Sequence, residues 1–124
     1  MLLTFWATWC SPCVGEFQRL NGVLNQLAGK PFEIVAVSVD ENRDELVSAL
    51  LTLKPGGVQT WDEAGEGNPV AEMFNVQNLP TWYLIDQHGV IRVRNPRTED
   101  LTVTVDALLK GQPPPRGTSE KPDK

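Results

Sequence analysis

Within its first forty residues the chain changes hydrophobic period twice, and this alternation limits the fold more than any other feature of the sequence. Residues 2–7 form a short, nearly continuous apolar and aromatic run, as expected of a strand buried on both faces. From Cys13 onward the apolar positions Val14, Phe17, Leu20, Val23, Leu24 and Leu27 recur at steps of three and four, which predicts a helix closed by Gly29. Residues 32–40, FEIVAVSVD, return to a β-branched run with no breaker inside it. A strand, a helix and a second strand in this order imply parallel pairing with a right-handed crossover.

The rest of the chain extends the unit. Asp40 and Asn42 offer caps for a second helix that runs to about Leu53. Residues 54–69 carry two prolines and four glycines, so a loop with at most one short strand is expected there, followed by a short helix over residues 70–74. After the break at Asn78-Leu79-Pro80, residues 81–85 and 90–93 read as antiparallel strands joined by the polar turn Asp86-Gln87-His88-Gly89. A last amphipathic helix begins near Asp100 and carries Leu101, Val105, Leu108 and Leu109, with Gly111 at its end. The predicted fold class is therefore α/β, a central mixed sheet flanked by helices on both faces. One domain is expected over residues 1–110, with 111–124 as a disordered tail whose four prolines and lack of large apolar side chains leave nothing to offset its ordering entropy.

Charge and cysteine usage narrow the function. A net charge of -5 provides no basic field for a phosphate backbone, so nucleic acid is not an expected partner. Only two cysteines are present, too few for the framework of a disulfide scaffold. They stand three apart, Cys10-Ser11-Pro12-Cys13, at the strand-to-helix junction. The first turn of a helix leaves amide N–H groups unpaired and concentrates partial positive charge at its end, which stabilises a thiolate. In such positions the first thiol falls from about 8.5 to roughly 3.5–7.5, so Cys10 is expected to be ionised near neutrality. Pro12 suits a helix start, and the three-residue step lets Cys13 reach back to a mixed disulfide on Cys10. Two buried structural thiols are the plainer alternative, which the spacing, junction and proline together disfavour. A zinc site would need four ligands, and the single histidine, His88, falls in a distant turn. A c-type haem needs His after the second cysteine, where Val14 stands. No cofactor or metal is expected.

The segment Phe5-Trp6-Ala7-Thr8-Trp9-Cys10-Ser11-Pro12-Cys13 resembles the active site of the thioredoxin superfamily, in particular its TlpA-like and ResA-like extracytoplasmic branch. The likeness continues in Val35-Ala36-Val37-Ser38-Val39-Asp40-Glu41, in Met73-Phe74-Asn75-Val76, in Leu79-Pro80-Thr81-Trp82-Tyr83-Leu84-Ile85-Asp86 and in Gly89-Val90-Ile91, and covers about residues 2–110. It implies a thioredoxin-like fold and a thiol:disulfide oxidoreductase that exchanges its Cys10-Cys13 dithiol with protein thiols and disulfides and with a redox partner protein. Pro80 becomes the counterpart of the family's cis-proline, with the Leu79 backbone free to pair with an extended substrate. Trp9, Ser11 and Pro12 complete the expected substrate-binding set; Trp6 is expected in the core, with Trp61 and Trp82 as packing residues.

Two departures from the family pattern bear on mechanism. Thioredoxins proper carry a buried aspartate where this chain has Thr4, so another acid must handle the proton of Cys13. Glu41 matches the acidic position of ResA-like proteins, and a partly buried carboxylate there would suit proton exchange. A solvated acid at a helix start is the equal alternative. The second departure is that Met1 falls inside the first core strand, whereas the family implies a preceding strand or hairpin and an export signal or membrane anchor. An N-terminally truncated form of a monomeric, extracytoplasmic and membrane-anchored protein is expected. A peroxidase is disfavoured by Ala7, which stands where a peroxide-binding hydroxyl is required, and a module kept only for binding is disfavoured by the intact cysteine pair.

Overall fold

A computed structural model describes residues 1–114. Its five-stranded sheet comprises β1 (Leu2–Trp6), β2 (Ile34–Ser38), β3 (Val58–Trp61), β4 (Thr81–Ile85) and β5 (Ile91–Arg94), in the order β3-β2-β1-β4-β5. β1 is central, parallel to β2 and antiparallel to β4; β3 adds parallel to β2 and β5 antiparallel to β4. All five residues of β1 are buried, in keeping with a sequence that is apolar but for Thr4 and shows no alternation. Four helices accompany the sheet: α1 (Ser11–Gln26), α2 (Arg43–Leu53), α3 (Pro69–Met73) and α4 (Leu101–Leu109).

Alternate side chains of β1 show how both faces are covered. Trp6 packs edge-on against Phe17 of α1, ring centroids 4.7 Å apart, whereas Phe5 meets Phe74 and Tyr83 on the opposite face. Phe17, Leu20 and Val23 follow Cys13 along the buried stripe of α1, and Leu101, Val105 and Leu108 form that of α4. Trp6 and Trp82 are fully enclosed, as expected, while Trp61 is half-buried and donates its indole N–H to the Asp40 carbonyl at 2.7 Å.

The sheet is assembled by specific end chemistry. Asn42 caps α2 by accepting the Glu45 amide, and Asn68, buried beside α3, accepts the amides of Val70 and Ala71. In the β4–β5 turn the Asp86 carboxylate accepts the His88 and Val90 amides at 2.8 and 3.1 Å, and Gly89 takes the left-handed conformation (φ 79°). Val90 belongs to this turn, so β5 starts one residue later than the sequence suggests.

Asp40 departs from its expected role. It does not cap α2; Asn42 does, and the Asp40 carboxylate turns inward to Thr8 and Ser38. A polar side chain buried just past a strand has no water to hydrogen-bond with, so it stays where donors converge. The expected tail falls, from residue 115, outside the described residues.

Candidate active site at the N-terminus of α1

β1 ends at Trp6, a tight turn follows in which the Cys10 amide donates to the Ala7 carbonyl at 3.1 Å, and α1 begins at Ser11. Cys10 is the N-cap residue, in extended conformation, and its Sγ accepts the Cys13 amide at 3.3 Å. Sulfur therefore occupies the place that a capping oxygen takes in other helices, facing the positive end of a 16-residue helix. Pro12, the second helical residue, withholds an N–H that would find no intrahelical partner.

Cys10 and Cys13 are joined as a disulfide, with Cα atoms 5.3 Å apart. The pair is asymmetric in its surroundings. Both residues are largely buried, Cys10 at 6% and Cys13 at 3% exposure, but only Cys10 lines an open groove of about 520 Å³, together with Trp9, Ser11, Pro12 and Leu79, while Cys13 lies on the inward face of α1. The far wall of that groove is built by Ala71 of α3 and by Val76, Gln77 and Asn78. The Leu79-Pro80 peptide bond is cis, and Trp9 is 60% exposed at the rim. The structure thus gathers Trp9, Cys10, Ser11, Pro12 and Leu79 along one groove, with Pro80 following directly in the chain.

Glu41 is not part of that groove. It lines a neighbouring hollow of about 400 Å³ with Trp9, Asn42 and Glu45, and its side chain is exposed, which matches the solvated alternative and not the partly buried one. The reason is local: β2 ends at Ser38, so residue 41 lies in the turn toward α2 instead of in the sheet. Its neighbour across the turn is Gly65 (φ 59°), where a Cβ would lie 2.4 Å from Glu41 Cγ.

Two residues at the site escaped the sequence reading. Glu66, from the loop after β3, lines both the cysteine groove and the Glu41 hollow. No periodicity or cap pattern marks it; only the fold brings that loop to the cysteines. Asp40 is the second, 1% exposed and tied to Thr8, two residues before Cys10. An aspartate closing an apolar strand was the available signal.

Comparison with known proteins agrees with this geometry. Residues 1–91 match the family model described as Thioredoxin-like. The chain is 33% identical over 113 residues to the thiol:disulfide interchange protein HelX of Rhodobacter capsulatus, covering 89% of this chain and 61% of that protein. It is 31% identical over 91 residues to the thiol-disulfide oxidoreductase ResA of Bacillus subtilis, covering 73% of this chain and 49% of that one. It thus spans about half to three-fifths of the length of these relatives. Among solved structures, the thioredoxin domain of a thiol-disulfide oxidoreductase from Bacteroides vulgatus superposes with a TM-score of 0.76 at 28% identity, over 85% of this chain and 75% of that one. With the central mixed sheet, the Cys-Ser-Pro-Cys helix start and the cis-proline in place, the chain belongs to the thioredoxin-like family.

Proposed function

We propose that this protein is a thiol:disulfide oxidoreductase that acts on protein thiols and disulfides through Cys10 and Cys13. The observation that supports this most strongly is the asymmetric placement of the pair, Cys10 at the helix N-terminus facing an open groove and Cys13 behind it. In the reducing direction the Cys10 thiolate attacks one sulfur of a substrate disulfide R–S–S–R′. The S–S bond breaks, R′–S⁻ leaves and takes up a proton, and R remains joined to Cys10. Cys13, deprotonated, then attacks Cys10 Sγ and expels R–S⁻, which is protonated in turn. Two electrons have passed to the substrate, and the chain is left with its Cys10-Cys13 disulfide. The oxidising direction is the reverse, and a redox partner protein resets the pair.

Trp9, Ser11, Pro12, Leu79 and Pro80 form the substrate-binding surface in this proposal. The Leu79 backbone, before the cis bond, pairs with an extended substrate segment, and the Trp9 ring supplies apolar contact beside it. Exposed Glu41 serves as an acid that exchanges protons with bulk water. The resemblance of the cysteine segment to the extracytoplasmic TlpA-like and ResA-like branch is the ground for placing this protein outside the cytoplasm in this proposal.

Insulin reduction driven by a dithiol tests the reading. Wild type turns over, Cys10→Ser loses turnover, and Cys13→Ser accumulates a mixed disulfide with the substrate. A wild type that binds substrate but leaves its disulfides intact would indicate a binding module and defeat the proposal.

A further inference from the structure

The turn from β1 to α1 has an amide that neither sheet nor helix can satisfy, that of Thr8. Asp40 accepts it: both carboxylate oxygens lie 3.1 Å from Thr8 N, and Oδ1 also accepts the Thr8 hydroxyl at 2.6 Å. Oδ2 accepts the Ser38 hydroxyl at 2.6 Å, while Ser38 Oγ accepts the Asp40 amide at 3.0 Å. The Asp40 carbonyl is taken by the Trp61 indole. Asp40 is thus fixed by side chain and backbone at once, at 1% exposure. Three donors converge on its carboxylate, a group that when ionised offers acceptors only, so a neutral amide in its place would set an N–H against another donor.

This arrangement is more than a satisfied core aspartate because of what it holds. Thr8 is two residues from Cys10, and the same turn carries Trp9 to the groove rim. Within residues 7–10 the turn's own backbone bond is that from the Cys10 amide to the Ala7 carbonyl, with Cys10 held on its helix side by the Cys13 and Val14 amides. The direction of Cys10 Sγ relative to the α1 amides therefore depends on where Thr8 is held, and the dipole's effect on a thiolate falls off within the first turn.

We propose that Asp40 is a positioning residue for the thiol–disulfide centre: by tying Thr8 to the end of β2 it fixes the turn that sets Cys10 on the N-terminus of α1 and Trp9 on the groove. The proposal rests on the reading of Cys10 as the attacking sulfur, and deepens it. Asp40 touches no reacting atom; it acts through Thr8.

The test uses the full chain, reduced, with Cys10 alkylation by iodoacetamide followed against pH, alongside insulin turnover. Thr8→Val removes one of the clamp's bonds while leaving the carboxylate's charge in place, so a rise in the Cys10 pKa reports position, not charge. A rise of about half a unit is expected, which slows alkylation below the pKa about threefold. Thr8→Ser restores the wild-type profile. Asp40→Asn is expected to reduce turnover about tenfold, consistent with the loss of a group that orients a catalytic one. Should Asp40→Asn fail to fold, the Thr8 pair decides alone. A Thr8→Val profile superimposable on wild type overturns the proposal. Wild type that alkylates with a lowered pKa yet never reduces insulin defeats the assigned function only, because the alkylation profile needs no substrate.

Discussion

Gly65 sits where the loop after β3 crosses the turn that carries Glu41, and replacing it with alanine should be felt at both places. Its φ of 59° lies in the left-handed region, which costs a non-glycine residue about 1–2 kcal/mol. The new Cβ would also stand 2.4 Å from Glu41 Cγ, with Glu41 Cα and Cβ at 3.4 Å. The close atom belongs to an exposed, flexible side chain, so it escapes by leaving its rotamer, at about 0.5–1.5 kcal/mol. Together Gly65→Ala should destabilise by about 1.5–3.5 kcal/mol, or roughly 5–18 °C in melting temperature at about 3–5 °C per kcal/mol for a domain of this size. Glu41→Ala alone should change little, since the residue is exposed. The Gly65→Ala/Glu41→Ala double variant should recover about 0.5–1.5 kcal/mol, the rotamer share, and leave the backbone share in place. Thermal and urea unfolding of the four proteins, disulfide intact, measure this. Strict additivity, or a neutral Gly65→Ala, would refute the account of this crossing.

Gly57 gives a harder version of the same experiment, because its φ is 88° and the atom 2.5 Å from an added Cβ is the Ile34 backbone oxygen, which cannot swing away. Gly57→Ala should therefore destabilise more than Gly65→Ala, by about 3 kcal/mol or more in urea unfolding, and should loosen the β2–β3 edge. In the β4–β5 turn, the Val90 amide first, then the His88 amide and Arg92, hold the Asp86 carboxyl below the usual carboxylate range. A carboxyl lowered on folding adds stability above its unfolded pKa of about 3.9, and that contribution disappears as pH falls through the folded value. The stability difference between wild type and Asp86→Asn should thus be constant near neutrality and shrink below about pH 4. A difference unchanged down to pH 2 would contradict the turn's assignment.

What could be read from the sequence was whatever depends on neighbours in the chain. The apolar run of β1, the stripe of α1 and the Asp-Gln-His-Gly turn are local patterns, and each appears within a residue or two of its expected bounds. The cysteine pair was equally legible, since helix start, proline and spacing lie in four consecutive residues. Long-range polar pairing was not. Asp40 meets Thr8 across 32 positions; an aspartate closing an apolar strand is visible in the sequence, but its partner is not, and only burial just past β2 makes a clamp of it. For Glu41 the sequence left a partly buried acid and a solvated one as equal alternatives, and the turn that follows the end of β2 at Ser38 makes it the exposed one. Glu66 reaches the groove by way of a loop whose path no hydrophobic period encodes.

All of the proposed chemistry depends on α1 making Cys10 a ready anion. The direct measurement is the pH dependence of Cys10 alkylation in the fully reduced protein, with modification at Cys10 and Cys13 resolved by mass spectrometry. The account predicts that Cys10 titrates below about 7.5 and reacts well ahead of Cys13, which does not line the groove. A Cys10 that titrates near 8.5, or that is modified no faster than Cys13, would contradict it.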